Sequence, residues 1–333
     1  MKHLMLTTAA ASLLAVSAIA DAQTLKVSHV RPQGATIDVE LNAFADAVSE
    51  ATGGNVTLDI FAASALGDYT TVQERISLGA IDMAVQPAAT AADRRMQVSS
   101  FPYLTTNWGQ ARAVYGPGGV LRDVMEELYA EQDITMLAAY PVYFGGISLN
   151  TDAISPGDPS VDNGIKVRVP GIRSFQLTAE TLGYIPSPIP FADAFTAVQT
   201  GVVDGVIGSG AEGYYASFRD VTRTYIPANT HFEVWYMIIS SASLAELSDE
   251  DQAALRQAAD AFEATRWEVA EADQAHNEQR LVDDLGTTVV TLSDDELAAM
   301  AAAVRAEVWP EILEDIGADW GQSILDQVAA AEQ

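Results

Sequence analysis

Apolar residues recur along this chain in two rhythms, every second position and every third or fourth, and the order in which the rhythms alternate predicts an α/β fold. Leu25 to Val30 reads as a first strand. After a turn at Pro32-Gln33-Gly34, the residues Val39, Leu41, Phe44, Ala47 and Val48 fall at helical spacing, and Gly53-Gly54 ends that run. Val56 to Phe61 alternates apolar with polar as a second strand, Thr70 to Leu78 reads as a helix, and Gly79-Ala80-Ile81-Asp82-Met83-Ala84-Val85 supplies a third strand. Strands separated by helices in this order predict parallel pairing with right-handed crossovers.

The same phrase then returns. Gly201-Val202-Val203-Asp204-Gly205-Val206-Ile207 repeats the pattern of glycine, two apolar residues, aspartate and an apolar run, again after a segment with helical spacing. A helix that stops at glycine before a strand is half of an α/β unit. Two such units far apart in the chain predict two similar domains that face each other across a cleft. Between them the pattern is looser, with an apolar loop at Phe101-Pro102-Tyr103-Leu104, a helix from Gly116-Pro117-Gly118-Gly119 to about Ala130, and a strand from Thr135 to Tyr140. Ser155-Pro156-Gly157-Asp158-Pro159-Ser160 is the clearest linker signal. Beyond it come a strand at Ile165 to Val169, a helix from about Ser174 to Leu182, an extended piece from Ile185 to Pro190, a helix from Phe191 to Thr200, the repeated strand, and an apolar strand from Val234 to Ser240.

Ser248 stands three residues before Asp251, and Ser293 three before Glu296, both of the form that caps a helix start. No glycine or proline follows the first of these until Gly286, which predicts a helix on the order of 50 Å long. A helix of that length reads as a strut across both domains rather than as two pieces broken near Asn277. The expected divisions are residues 1–22 as an export signal, 23–150 and 151–245 as two α/β domains, and 246–333 as the bridging helix and closing helices. The signal rests on Met1-Lys2-His3, the apolar run Leu4 to Ala20, and small-residue cleavage sites at Ala18-Ile19-Ala20 and Ala20-Asp21-Ala22. The run is short and rich in small residues for a retained membrane anchor, and no later stretch is apolar enough to span a bilayer. The expected location is the periplasm.

Charge narrows the partners. The 333 residues include 46 acidic and 17 basic side chains and no cysteine, and the only lysines are Lys2, Lys26 and Lys166. Such a field repels phosphate backbones and excludes nucleic acid as a ligand. It also makes a buried arginine a candidate anion anchor. After export only His29, His231 and His276 remain as histidines, with no metal-binding spacing, no phosphate-binding glycine loop and no thiol nucleophile. No catalytic residue, metal ligand or cofactor is assigned, although a hydrolase or lyase on a two-domain scaffold and a receptor that holds its anion through Ca²⁺ at acids such as Glu212 stay open as alternatives.

In open α/β sheets ligands sit beyond the carboxyl ends of the strands. Those ends are His29 to Arg31, Val85 to Pro87, Tyr140 to Gly145, Arg168 to Pro170 and Ile207 to Gly210. Within Lys166-Val167-Arg168-Val169-Pro170, Lys166 and Arg168 share one strand face and Arg168 stands at the strand end. The candidate ligand-binding residues are Arg168 and Arg31 as cations, with His29, Gln86, Tyr143 and Phe144 from the first domain. Phe191, Gly208, Ser209, Glu212 and Trp235 complete the set.

Several stretches together resemble one family: Gly53-Gly54, Ala65-Leu66-Gly67, LGAIDMAV, FPYL, GIKVRVPG, LGYIPSPIPFADAFTAVQTGVVDG and Thr230-His231, in order from about residue 25 to 285. The chain resembles the substrate-binding proteins of tripartite ATP-independent periplasmic (TRAP) transporters, of the dicarboxylate-receptor (DctP) type. The resemblance implies two α/β domains that close on a ligand, cross-domain strands, a bridging helix, and delivery of a small organic anion to membrane subunits driven by an ion gradient. It also implies that Arg168 pairs with the ligand carboxylate. Two positions depart from the family pattern. Gly208 stands where members commonly carry an asparagine, and Ile147 where many carry a second arginine. Arg31 is the expected substitute for that arginine, either facing the ligand or paired with an acid such as Asp38.

Overall fold

A computed structural model describes residues 22–331, so the expected export signal lies outside the described residues except for its last position. Among the described residues eleven strands form two sheets flanked by helices. The first sheet is built from β1 (Gln23–His29), β2 (Val56–Phe61), β3 (Met83–Gln86), β4 (Ile134–Phe144) and β10 (Phe232–Ser240), in the order β2-β1-β3-β10-β4. The second contains β5 (Gly146–Leu149), β6 (Lys166–Val169), β7 (Ile185–Pro188), β8 (Gly205–Ser209), β9 (Thr224–Ile226) and β11 (Thr288–Val289), in the order β11-β9-β5-β8-β6-β7. β1 pairs parallel with β2 and β3, and β6 pairs parallel with β7 and β8, as the alternating pattern predicts.

The helices that cross over the first sheet are α1 (Thr36–Ala51) and α2 (Tyr69–Ser77), followed by α3 (Trp108–Tyr115) and α4 (Val120–Ala130). Those of the second are α5 (Arg173–Thr181), α6 (Phe191–Gln199) and α7 (Ala211–Phe218). α1 turns Ile37, Leu41, Phe44 and Val48 to the core, whereas Val39 and Ala47, also marked by the helical spacing, are exposed on its outer side. At the repeated phrase, Gly79 and Gly201 have φ of 69° and 73°, a left-handed conformation that lets each helix end one turn before its strand. Asp82 ties its turn to the neighbouring strand by accepting from the Lys26 amide and from Ser243 Oγ. Asp204 does so through its backbone, donating to Lys166 O and accepting from Asn150 N.

Sheet membership does not follow the order of the strands along the chain. β5, placed before the linker in sequence, belongs to the second sheet, and β10 returns to the first, where it lies antiparallel between β3 and β4. The chain therefore crosses between lobes at Gly145 and again between Ile226 and Phe232. The two crossings are bonded to each other: Gly145 N donates to His231 O, and Thr230 N donates to Gly145 O.

A third connection is α9 (Asp249–Asp283), which continues unbroken past Asn277 for 35 residues, about 52 Å at 1.5 Å per residue. It packs on α1 and β4 on one side and on α7 on the other, and Ser248 Oγ accepts from Asp251 N at its start. Two of its buried charges are paired: Glu263 accepts two bonds from Arg122 and one from Ala139 N, and Arg266 reaches Pro141 O, Glu40 and Asp273. Between α8 (Ser241–Glu246) and the chain end, α10 (Asp294–Ile316) opens with a reciprocal capping box at Ser293 and Glu296, and α11 (Ala318–Ala331) packs on α10 and α4.

Candidate functional site

The carboxyl ends of β1, β3, β6 and β8 meet the hinge strands β4 and β10 around a cavity of about 40 Å³ between the lobes. Its wall includes Val30, Arg31, Tyr69, Pro87, Ala88, Ser99, Ser100 and Tyr143. The opposite wall includes Arg168, Pro170, Ile172, Phe175, Phe191 and Gly208, and Glu233, Val234 and Trp235 of β10 close it. An outer recess of about 260 Å³ shares Tyr69, Arg168 and Ile172, so the Arg168 side chain stands between the recess and the inner cavity.

Arg168 is 1% exposed. Its Nε donates to Ile189 O at 2.8 Å, Phe191 lies under the guanidinium at 5.7 Å, and Nη1 is buried without a hydrogen-bond partner. Burial pulls its pKa below the usual arginine value, with Tyr69 among the groups that push back. Arginine nevertheless stays charged in proteins. A desolvated cation with a free donor edge is costly by itself, and an anion in the cavity would relieve that cost. Burial likewise pushes the Tyr69 hydroxyl up to about 12, Arg168 working against it, so Tyr69 stays a neutral phenol beside the guanidinium.

Arg31 also lines the cavity but is already paired. Its Nε donates to Glu212 Oε2 at 2.8 Å, Nη2 lies 2.8 Å from the same oxygen and 3.4 Å from Tyr143 Oη, and the guanidinium stacks over Trp235 and Phe191. Glu212 raises its pKa against the opposing effect of burial. The surface pair of Arg31 with Asp38 does not form, because Asp38 accepts instead from the Gly34 amide and contacts His29 Nε2. Glu212, buried against Arg31, faces a separate groove lined by Pro32, Tyr215, Arg219 and Arg280. Glu212, the acid named for Ca²⁺-assisted binding, is thus engaged by Arg31 and does not line the cavity.

Of the residues singled out in the sequence, Arg168, Arg31, Tyr143, Phe191, Gly208 and Trp235 line the cavity. His29, Gln86, Phe144, Ser209 and Glu212 do not. Gln86 Nε2 donates to Tyr69 O, and Ser209 Oγ lies 3.3 Å from Tyr143 Oη, so both stand behind side chains that do face the space. His29 is fully buried on Asp38. Phe144 points to the opposite side of β4 from Tyr143, where it packs edge-on against Trp108 and against Phe232. Tyr214 packs against Phe218, and its hydroxyl reaches Gly146 O and Val206 O. Ile147 is wholly buried between Ile207 and Ile226 of the second sheet. Gly208 has φ of 101°, and a Cβ there would lie 2.6 Å from Pro170 Cδ, so the close approach of β8 to Pro170 excludes a side chain in this backbone.

Among the cavity residues outside the candidate set, two carry titratable side chains, Tyr69 and Glu233. The helix expected from Thr70 starts one residue earlier: Asp68 caps it and Tyr69 is its first residue. Glu233 had a readable signal, a lone carboxylate inside the otherwise apolar strand Phe232–Ser240.

The profile of bacterial extracellular solute-binding protein family 7, DctP, matches residues 27–315. A solute-binding protein of Roseobacter denitrificans is 25% identical over 95% of both chains. The ectoine-binding periplasmic protein TeaA of Halomonas elongata is 25% identical over 98% of this chain and 95% of its own. Among solved structures, a TRAP periplasmic solute-binding protein of Haemophilus influenzae with bound L-gulonate superposes with a TM-score of 0.84 at 19% identity, covering 92% of this chain and 99% of that one. A Bordetella pertussis extracytoplasmic solute receptor binding pyroglutamic acid gives 0.82 at 21%, covering 92% and 100%. These likenesses fix the two-lobed fold, and the profile match over most of the sequence fixes the lineage: the chain belongs to the bacterial extracellular solute-binding proteins of family 7.

Proposed function

We propose that the protein is an exported, non-catalytic receptor that binds a small organic carboxylate in the interlobe cavity and hands it to the membrane subunits of a TRAP transporter. The observation that carries this reading is Arg168, a buried guanidinium with an unsatisfied Nη1 at the end of β6, facing a cavity walled by both lobes. A charge-assisted pair there gives the ligand carboxylate its orientation. Phe191, Trp235 and Phe175 supply apolar and aromatic walls, and Tyr69 and Tyr143 supply hydroxyls. Relatives that carry organic acids, L-gulonate and pyroglutamic acid among them, support the same ligand class.

A cavity of about 40 Å³ has room for only a few water molecules. Ligand entry therefore requires the lobes to part about the crossings at Gly145 and at 226–232, the hinge type of closure. The expected export by residues 1–22 places this receptor outside the inner membrane, and among the described residues no helix is long and apolar enough to cross one. Thermal-shift screening of the chain without residues 1–22 against organic acids tests the reading. Stabilisation with the acid recovered unchanged is the expected result, and turnover of any stabilising acid would overturn it.

A further inference from the structure

Glu233 sits on β10 in the wall of the cavity that holds Arg168, 7% exposed. Its Oε1 accepts from Trp235 Nε1 at 2.7 Å, and its Oε2 lies 3.0 Å from His231 Nε2. An indole N–H only donates, so Oε1 acts as an acceptor. Thr230 Oγ1 lies 3.0 Å from His231 Nδ1, which holds the ring with Nε2 against Glu233. Among the described residues no arginine or lysine forms an ion pair with Glu233, whose one ion-pair contact is this histidine. Each carboxylate oxygen keeps acceptor capacity beyond the bond it already makes.

The cavity thus holds two poles, a guanidinium without a carboxylate and a carboxylate without an arginine or lysine, its one ion-pair contact among the described residues being His231. Both are desolvated, and no ion pair joins them. A plain monocarboxylate would satisfy Arg168 and leave its negative charge enclosed with that of Glu233, a like-charge arrangement that binding sites use to reject a ligand. A molecule with a carboxylate at one end and a cationic nitrogen at the other would satisfy both. The aromatic faces of Phe191, Trp235 and Phe175 suit the hydrocarbon or quaternary nitrogen between them.

Resting on the receptor reading above, we propose that Glu233 is the second pole of the binding site and selects compact zwitterions, carboxylates that also carry a cationic nitrogen, over plain carboxylates of the same shape.

The test titrates the chain without residues 1–22 by calorimetry with matched pairs differing only at the nitrogen: proline and cyclopentanecarboxylate, pipecolate and cyclohexanecarboxylate, glycine betaine and tert-butylacetate, alanine and isobutyrate. At least one zwitterion should bind about tenfold or more tighter than its plain partner. Glu233→Gln should erase that preference, weakening the zwitterion while leaving the plain acid unchanged or improved. Gln keeps an acceptor for Trp235, and should that variant not fold, the preference measured on the unaltered protein decides alone. Plain acids binding as well as every zwitterion, with affinity lost in Arg168→Lys, would overturn the role of Glu233 and leave the anion anchor standing. Zwitterion binding indifferent to Arg168→Lys would instead overturn the anchor, and no binding by either arm would overturn both.

Discussion

Arg31, at the end of β1 in the first lobe, and Glu212, in the first turn of α7 in the second, form a buried ion pair across the interlobe boundary, with Arg31 Nε and Nη2 each 2.8 Å from the same carboxylate oxygen. The two side chains are 1% and 5% exposed. A buried pair contributes little net stability against an apolar pair of equal volume, but removing one partner strands the other charge. Glu212→Ala should therefore cost about 3–5 kcal/mol in urea unfolding, whereas Arg31→Met with Glu212→Leu should cost far less than Glu212→Ala alone. Because the pair joins the lobes, Glu212→Ala should also raise the radius of gyration of the unliganded protein in small-angle scattering. An unchanged radius would show that other contacts hold the lobes together.

Arg168→Lys keeps the positive charge and loses the planar donor fork that pairs with a carboxylate. Affinity for a carboxylate ligand should fall by about tenfold or more, close to 1.4 kcal/mol. The fold should remain, since among the described residues the native side chain makes one hydrogen bond, to Ile189 O, and one ring contact, with Phe191. Calorimetry on a ligand found by screening gives the ratio, and a lysine variant that binds as tightly as the native protein would place the anchor elsewhere.

Gly213 lies in α7 directly beneath the Arg31 guanidinium. A Cβ there would collide with Ser209 Oγ and fall 2.5 Å from Arg31 Nη2. Helix propensity favours alanine over glycine by about 1 kcal/mol, and overpacking in a fixed core costs about 1–3 kcal/mol. The clash should win, so Gly213→Ala should lower the unfolding midpoint even though it adds a helix former to a helix. A raised midpoint would mean that the Arg31–Glu212 pair shifts without cost.

Local pattern revealed most of the elements and the outline of the site, for identifiable reasons. The parallel cores of both lobes follow from strand and helix rhythms that short-range sequence encodes, and Arg168 was legible because a strand-end arginine is conspicuous in an acidic chain. Sheet membership was not legible. β5 and β9 are four and three residues long, and whether β5 or β10 joins one lobe or the other depends on partners far away in sequence. The same holds for Arg31. Its neighbourhood in sequence offers Asp38, but its partner stands 181 positions away and is brought near only by the association of the lobes. Phe144 and Tyr143 show the complementary limit. Both stand at a strand end, and only the pleat decides that one faces the cavity and the other the core.

The last prediction concerns His29, which is fully buried with Nδ1 lacking a hydrogen-bond partner and Nε2 3.1 Å from Asp38 Oδ1. Burial lowers its pKa below 6.5; Asp38 opposes that shift and the Arg31 charge adds to it. In the unfolded chain the imidazole takes up a proton near its ordinary value, while in the folded protein it resists until lower pH. The unfolded state thus binds more protons in that window, and stability must fall as pH falls through it. The stabilisation from the neutral His29 is fully present above the unfolded pKa of about 6.5. It is lost progressively on acidification, and the loss levels off once the folded-state pKa is passed. His29→Gln keeps an N–H donor for Asp38 and has no proton to gain. Unfolding free energies measured from pH 7.5 downward in steps should therefore decline more steeply for the native protein than for the variant, while every other group titrates alike in both. Parallel curves would show that His29 protonates equally easily in the folded and unfolded chain.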